Sequence, residues 1–347
     1  GKPATGKQSN INGQIYLFNE EGQMQVGWVA RSDSKTKNFV QLDKEDEEQD
    51  MILLSDYADS EVYYCGDEDD GHAKKNKWLK TWLPSDTEEE EDDKEWFWFD
   101  KNGKLYRADA DAKSASNAQK YKLEEGNLVY DGAAEEQKVN KKKVNSKDYW
   151  FREDGVMLSK FYMLKNDSAK DSMFYFGGSD DGSMKTGSQS VKDDNDDTFK
   201  FYFGTKDNAT TGEAKGVGIT GNKNNKLYFQ GHLVASDDYK YQPVTMEIEG
   251  TEYTFIVNQN GSIQHSNVEY KEDGDVLINA KNEKDDDGTE YNVGFVTDGW
   301  AKYAIDPETE DNVEFYVDFL DPTSVMAISG SIALTPDHPT LMNAIAE

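Results

Sequence analysis

Runs of aromatic residues that end in a turn of the form Asp/Asn-x-x-Gly recur along this chain, and no other feature limits its possible folds so strongly. Glu95 to Lys104 reads EWFWFDKNGK, Asp148 to Met157 reads DYWFREDGVM, Ser172 to Gly187 reads SMFYFGGSDDGSMKTG, and Thr251 to Ile263 reads TEYTFIVNQNGSI. Ile15 to Trp28, IYLFNEEGQMQVGW, carries the whole unit, and looser copies run from Glu61 to Gly71, Phe199 to Gly216 and Asn225 to Val234. Tyr, Trp and Phe favour strands, while Asn-Gly and Asp-Gly supply positive φ angles for a tight hairpin turn. Each unit therefore reads as a β-hairpin, with turns at Asn102-Gly103, Asp154-Gly155, Asp181-Gly182 and Asn260-Gly261. An isolated hairpin is marginal in water, so the copies must stack and bury their aromatic faces on one another.

The expected fold is all-β: stacked hairpin repeats forming an elongated solenoid over residues 1–263, with insertions near 31–60 and 109–147. Within the second insertion, Lys120 to Gly132 reads as a decayed unit. Residues 264–347 read as degenerate repeats and a capping or small α+β segment. Asp287-Gly288 and Asp298-Gly299 mark further turns, Glu314 to Leu320 a strand, and Asp337 to Ala346 a short helix.

Composition agrees with thin aromatic layers. Hydrophobic residues make up only 35% of the 347, yet 19 Tyr, 16 Phe and 7 Trp are present, which a disordered acidic chain would lack. A net charge of -31 repels phosphates and anionic headgroups, which argues against nucleic acid as a partner and favours cationic ones. No stretch approaches the roughly 20 apolar residues of a membrane span. One cysteine, Cys65, excludes an intramolecular disulfide framework, and its aromatic strand context marks it as buried rather than reactive. The sequence opens Gly1-Lys2-Pro3, which reads as a processed or trimmed form lacking its targeting segment.

The aromatic strand, Asx-x-x-Gly turn, short Met- or Lys-bearing return and Gly-Trp together resemble the cell-wall-binding repeat of choline-binding and glucan-binding proteins. Tyr16, Phe18, Gly22, Met24, Gly27 and Trp28 carry the resemblance best. It continues through Trp96 to Gly103, Tyr149 to Met157 and Phe174 to Gly187, where Met184-Lys185-Thr186-Gly187 matches the return strand. The resemblance implies a secreted, cell-wall-associated Gram-positive protein that binds choline-bearing teichoic acid, glucan or another surface carbohydrate. In the choline branch a quaternary ammonium sits in a cage of rings with the Gly-Trp indole as one wall; in the glucan branch the rings stack on sugars. The sequence departs from the family where Gly187 is followed by Ser188 and Gly216 by Val217, so a regular ladder of cages is not expected. The candidate ligand-binding rings are Tyr16, Trp28 and Tyr64 as one group, Trp78, Trp82, Trp96 and Trp98 as another, with Tyr149, Trp150 and Tyr175 in later copies.

Catalytic signatures are lacking. Among 69 acidic residues carboxylate pairs arise by chance, and His72, His232, His265 and His338 are not spaced as metal ligands. Gly216 to Gly221, GVGITG, has the letters of a dinucleotide loop, but the polar Asn222 to Lys226 opens no amphipathic helix. The acidic segments Asp67 to Gly71, Asp193 to Asp197 and Asp285 to Gly288 do not follow the EF-hand order and read as solvated turns, as does Glu88 to Asp93. No cofactor or metal is expected and the chain reads as a non-enzyme. Its oligomeric state is open, and the competing reading is a stalk or adhesion module with no small ligand.

Overall fold

The computed structural model describes residues 3–31, 38–42, 54–57, 60–86, 93–109, 113, 115–131, 137–166, 169–207, 214–237, 239–248, 250–266, 268–279, 283–284, 290–291, 302–305 and 313–316. These residues form an all-β protein of small antiparallel sheets, with no α-helix among them. The chain divides into two compact units. The first comprises Gly1–Lys120, Ala133–Asp171 and Tyr175–Met184; the second comprises Tyr121–Gly132, Ser172–Phe174 and Lys185–Glu347.

The strands in chain order begin with β1 (Gly6–Ile11), β2 (Gln14–Phe18), β3 (Gly27–Arg31), β4 (Phe39–Gln41), β5 (Val62–Cys65), β6 (Lys77–Thr81) and β7 (Glu95–Phe99). Then come β8 (Ser116–Glu124), β9 (Asn127–Tyr130), β10 (Gln137–Val144), β11 (Lys147–Arg152), β12 (Phe161–Asn166) and β13 (Ala169–Tyr175). They continue as β14 (Gly187–Lys192), β15 (Thr198–Phe203), β16 (Gly221–Lys223), β17 (Lys226–Phe229), β18 (His232–Leu233), β19 (Tyr241–Ile248) and β20 (Thr251–Asn258). The last are β21 (Glu269–Glu272), β22 (Asp275–Asn279), β23 (Glu283–Lys284), β24 (Glu290–Tyr291), β25 (Lys302–Ile305) and β26 (Val313–Tyr316).

The repeated turns are not the two-residue type that Asn-Gly suggests. In the third copy Asp100 N–H donates to Lys104 O at 2.9 Å and Gly103 N–H donates to Asp100 O at 3.0 Å. That is a three-residue loop, a type I turn closed by a glycine in the left-handed region, with φ 78° at Gly103. The residue that opens the turn matters more than the one before the glycine: Asp100 Oδ1 accepts from the amides of Asn102 and Lys104. Asn19 and Asn258 do the same in their copies, and Asp193 repeats the pattern with Asp196, φ 66°, in the glycine position. The acidic segment Asp193 to Asp197 is thus one more turn of this design. Two-residue turns do occur, at Asn12-Gly13, Glu125-Gly126, Asn145-Ser146, Asn224-Asn225 and Asp273-Gly274, where both residues have positive φ.

A single rule links successive copies of the first unit. The residue two past each turn glycine donates its amide to the strand of the preceding copy: Ala73 to Ile15 O, Leu105 to Val62 O, Met157 to Trp96 O and Met184 to Asp148 O, at 2.8 to 2.9 Å. The side chain at that same position lies under the next turn glycine. A Cβ at Gly71 would stand 2.4 Å from Met24, one at Gly155 would stand 2.7 Å from Leu105, and one at Gly182 would stand 2.1 Å from Met157. The second unit keeps the rule, with Gly218 donating to Met173 O and Ile263 to Asn225 O, and with Gly261 over Leu233.

Strand alternation sorts side chains into separate small cores. Trp28, Ala30, Val62, Phe97, Phe99 and Leu105 share one; Ile15, Leu17, Val29, Tyr63 and Cys65 share another; Leu227, Val244, Met246, Phe255 and Val257 form the core around β17, β19 and β20. Burial pushes the Cys65 thiol up to about 12, which makes it unreactive. The insertion after β3 is tied down by Arg107, whose guanidinium donates to the carbonyls of Leu54, Tyr57 and Ser60. In the second insertion, Lys120 to Gly132 holds a hairpin: β8 and β9 pair from Tyr121–Tyr130 to Glu124–Asn127. Gly216 to Gly221 connects strands and opens β16, with no helix after it, so it is no dinucleotide loop. The expected turns at Asp287-Gly288 and Asp298-Gly299, the acidic segments at 88–92 and 285–288, residues 317–320 of the expected terminal strand, and the helix over 337–346 lie outside the described residues.

Candidate aromatic binding site

The β6–β7 ladder sets the geometry. Its register pairs Trp78 with Trp98 and Lys80 with Trp96, while Leu79 opposes Phe97 and Lys77 opposes Phe99. Because side chains alternate, Leu79, Phe97 and Phe99 face the core around Trp28, and Trp78, Lys80, Trp96 and Trp98 share the opposite face. β11 adds Tyr149 and Phe151 to that second face. Trp78 is the hub: its ring lies 5.2 Å from Trp98, 4.8 Å from Tyr149 and 5.8 Å from Phe151, stacked on the last at 20°. Trp98 and Tyr149 are buried, at 8% and 9% exposure, whereas Trp78 and Trp96 stay half-buried and present ring surface.

The next turn brings acid to the rim. Asp180 Oδ1 accepts from Trp96 Nε1 at 2.9 Å and from Lys80 Nζ at 2.7 Å. These two bonds hold its carboxyl below the usual range. Burial, with Asp181 nearby, raises the phenol pKa of both Tyr149 and Tyr175, so both stay neutral donors. On the outer side Tyr106 packs edge-on against Phe151 at 5.1 Å and donates from its hydroxyl to Lys141 O.

Of the rings singled out from sequence, four come together here: Trp78, Trp96, Trp98 and Tyr149. Trp82 does not join them; Lys94 Nζ lies 4.2 Å from the centre of its ring. Trp28 is 2% exposed, wedged among Tyr64 at 5.2 Å, Phe97 at 4.9 Å and Phe99 at 6.1 Å. Its indole N–H is spent on Trp82 O at 2.7 Å, so Trp28 is a core residue rather than an open cage wall. Tyr16 is held apart from it, bridged to His72 with their rings 6.4 Å apart. Tyr175 stacks on Phe161 at 4.5 Å, and Trp150 points away from Tyr149 by strand alternation. Sequence reasoning missed Asp180, Lys80, Phe151 and Tyr106. The rule that each turn overlies the preceding copy does not by itself reach Asp180, because the copy before its turn is Asp148 to Met157 and Trp96 lies one copy further back.

In the acidic turn after β5, Asp67 and Asp70 are already engaged. Asp67 Oδ1 caps its own turn by accepting from Asp69 and Asp70, and Asp70 pairs with Lys74 and His72. No cluster of three or more His, Cys, Asp or Glu that could hold a metal occurs among the described residues. No helix among them is long and apolar enough to cross a membrane.

No protein-family profile matches the chain, and no curated protein matches it. Among solved structures, choline binding protein F from Streptococcus pneumoniae, in its second crystal form, is 16% identical, over 76% of this chain and 93% of that one, with a TM-score of 0.20. Choline binding protein F soaked with ipratropium gives the same identity of 16%, coverage of 76% and 93%, and TM-score of 0.20. A TM-score of 0.20 establishes no common fold, so the likeness assigns neither fold nor ligand to this chain.

Proposed function

We propose that this chain is a non-catalytic, secreted and cell-wall-associated protein of a Gram-positive bacterium. Its hairpins stack as an elongated solenoid over residues 1–263, with residues 264–347 as degenerate repeats and a C-terminal capping or small α+β segment. It binds a wall polymer, choline-bearing teichoic acid or glucan, or another surface carbohydrate, through Trp78, Trp96, Trp98 and Tyr149. The observation that carries this reading is the partly exposed Trp78 and Trp96 on one face with two buried rings behind them and the Asp180 carboxylate at their edge. Ring faces attract a quaternary ammonium by about 0.5–2 kcal/mol each. The sequence resemblance to cell-wall-binding repeats supports the same class of ligand.

Intrinsic fluorescence titrated with choline, then soluble glucans, then isolated wall fragments tests this. A saturable change lost in Trp78→Ala, with the near-ultraviolet circular dichroism retained, is the expected result. A folded protein silent toward all three ligands sinks it.

A second reading has its own support. Trp28 is 2% exposed, Phe97, Phe99 and Phe151 are 0% exposed, and these rings serve packing alone. A stalk or adhesion module without a small ligand needs no more than that, and silence in the titration selects it.

A further inference from the structure

The side chains that lie under the turn glycines differ in exposure. Met157, beneath Gly182, is 5% exposed and Leu105, beneath Gly155, is 8% exposed, whereas Met24, beneath Gly71, is 37% exposed. Met163, Met173 and Met246 are buried and Met184 is half-buried, so among the described residues Met24 is the methionine most open to solvent. Its sulfur is also part of what makes the contact. A Cβ at Gly71 would stand 2.5 Å from Met24 Sδ and 3.5 Å from its Cγ, so the thioether rests directly on the glycine. Gly71 has φ +54°, and its N–H closes the turn by donating to Asp67 O at 2.7 Å. Two residues on, Ala73 N–H donates to Ile15 O at 2.8 Å, the bond that joins the second copy to the first, beside the bridge between His72 and Tyr16.

We propose that Met24 is a site of reversible oxidation, at which a peroxide loosens the joint between the first two copies. A lone pair on Sδ attacks one oxygen of hydrogen peroxide. The S–O bond forms as the O–O bond breaks, the sulfur gives up two electrons, and the departing hydroxide takes the proton of the transferred oxygen and leaves as water. The product is the sulfoxide, a polar group in place of a flexible apolar one. Its oxygen needs a hydrogen-bond donor or water, and the amide of Gly71 is spent on Asp67 O. The oxygen therefore turns to solvent and carries the sulfur off the glycine. The turn keeps its own hydrogen bonds but loses its seat on the first copy. Met157 makes the same kind of contact with Gly182 and is covered, so that joint is spared. The site is separate from the Trp78 face and does not depend on what that face binds.

The test is limited oxidation with hydrogen peroxide, mapped by peptide mass spectrometry, followed by amide hydrogen exchange of ¹⁵N-labelled wild type and Met24→Leu. Leucine keeps an apolar side chain that cannot be oxidised, and the variant treated in parallel carries whatever sulfoxides form elsewhere in the chain. The expected result is that Met24 gains an oxygen before Met157 does, and that the Ala73 amide then exchanges about three- to tenfold faster. The corresponding amides of Leu105, Met157 and Met184 keep their rates, Met24→Leu shows no change at Ala73, and a methionine sulfoxide reductase restores the wild-type protection. Oxidation of Met157 as fast as Met24 overturns the proposal. So does an Ala73 rate that is the same with and without the Met24 sulfoxide, an equal acceleration in Met24→Leu, or an acceleration that the reductase leaves in place.

Discussion

Replacing Gly155 with Ala asks whether the turn glycines register one copy on the next. Two costs follow from the structure. Gly155 has φ +85°, where an alanine loses about 1–2 kcal/mol to the clash of its Cβ with the backbone. The added Cβ also meets three atoms of the Leu105 side chain, at 2.7, 2.9 and 2.9 Å, and displacing a core leucine costs about 1–3 kcal/mol more. The total is about 2–5 kcal/mol. With a urea slope of about 3 kcal/mol per molar, the unfolding midpoint falls by about 1 M. Fluorescence is well placed to see it, because Trp28, Trp78, Trp82, Trp96, Trp98 and Trp150 all lie in the first compact unit. Gly13→Ala is the control: φ is +77° but nothing lies within 4 Å of its Cβ, so only the backbone cost of about 1 kcal/mol remains. The decisive measurement is the double variant Gly155→Ala/Leu105→Ala. Leu105→Ala alone opens a cavity worth about 2–5 kcal/mol, but in the double variant the new methyl enters that space. The pair is then less destabilised than the sum of the singles by at least about 1 kcal/mol. If the two losses simply add, within about 0.5 kcal/mol, the glycine does not act through Leu105 and the registration rule is wrong.

Trp28→Ala costs about 3–5 kcal/mol in the same urea assay, since it empties a core site and leaves the Trp82 carbonyl without its donor. Burial between Phe201 and its neighbours lowers the His232 pKa from 6.5 to about 4, so the unfolded chain binds this proton first. Stability of the second unit therefore falls as pH drops from 6.5 toward about 4, by on the order of 2 kcal/mol, and His232→Asn flattens that slope in thermal melts across the window. Glu61, which accepts from Tyr63 and pairs with Lys104, has its pKa held below 4.5; its contribution is complete above that pH and disappears as pH falls through the folded value. Glu61→Gln removes that part of the acid dependence, and an unchanged acid limb in the melts rules the assignment out.

The hairpins were legible in the sequence because aromatic strand formers and turn glycines are local signals. Gly22, Gly103, Gly155, Gly182 and Gly261 all take positive φ, as the repeats imply. The turn chemistry was only half legible. The dipeptide Asn102-Gly103 draws attention to itself, yet Asp100, two residues before that asparagine, organises the loop with its carboxylate. The site was harder still. Trp78, Trp96 and Trp98 are close in sequence once the ladder is known, but Tyr149 arrives from a strand beyond a long insertion and Asp180 from the turn after that. Trp28 misled for a physical reason: Gly-Trp fixes where the indole starts, not which side of the strand is covered, and here Phe97 and Phe99 cover it.

The amide two residues past each turn glycine and the side chain beneath the next one leave little freedom inside a hairpin. Residues 31–60 and 109–147 both fall in the gap that follows such a position and precedes the next aromatic strand. A single residue added between Gly103 and Leu105 would draw the Leu105 amide away from Val62 O and its side chain from beneath Gly155, unseating that copy from both neighbours.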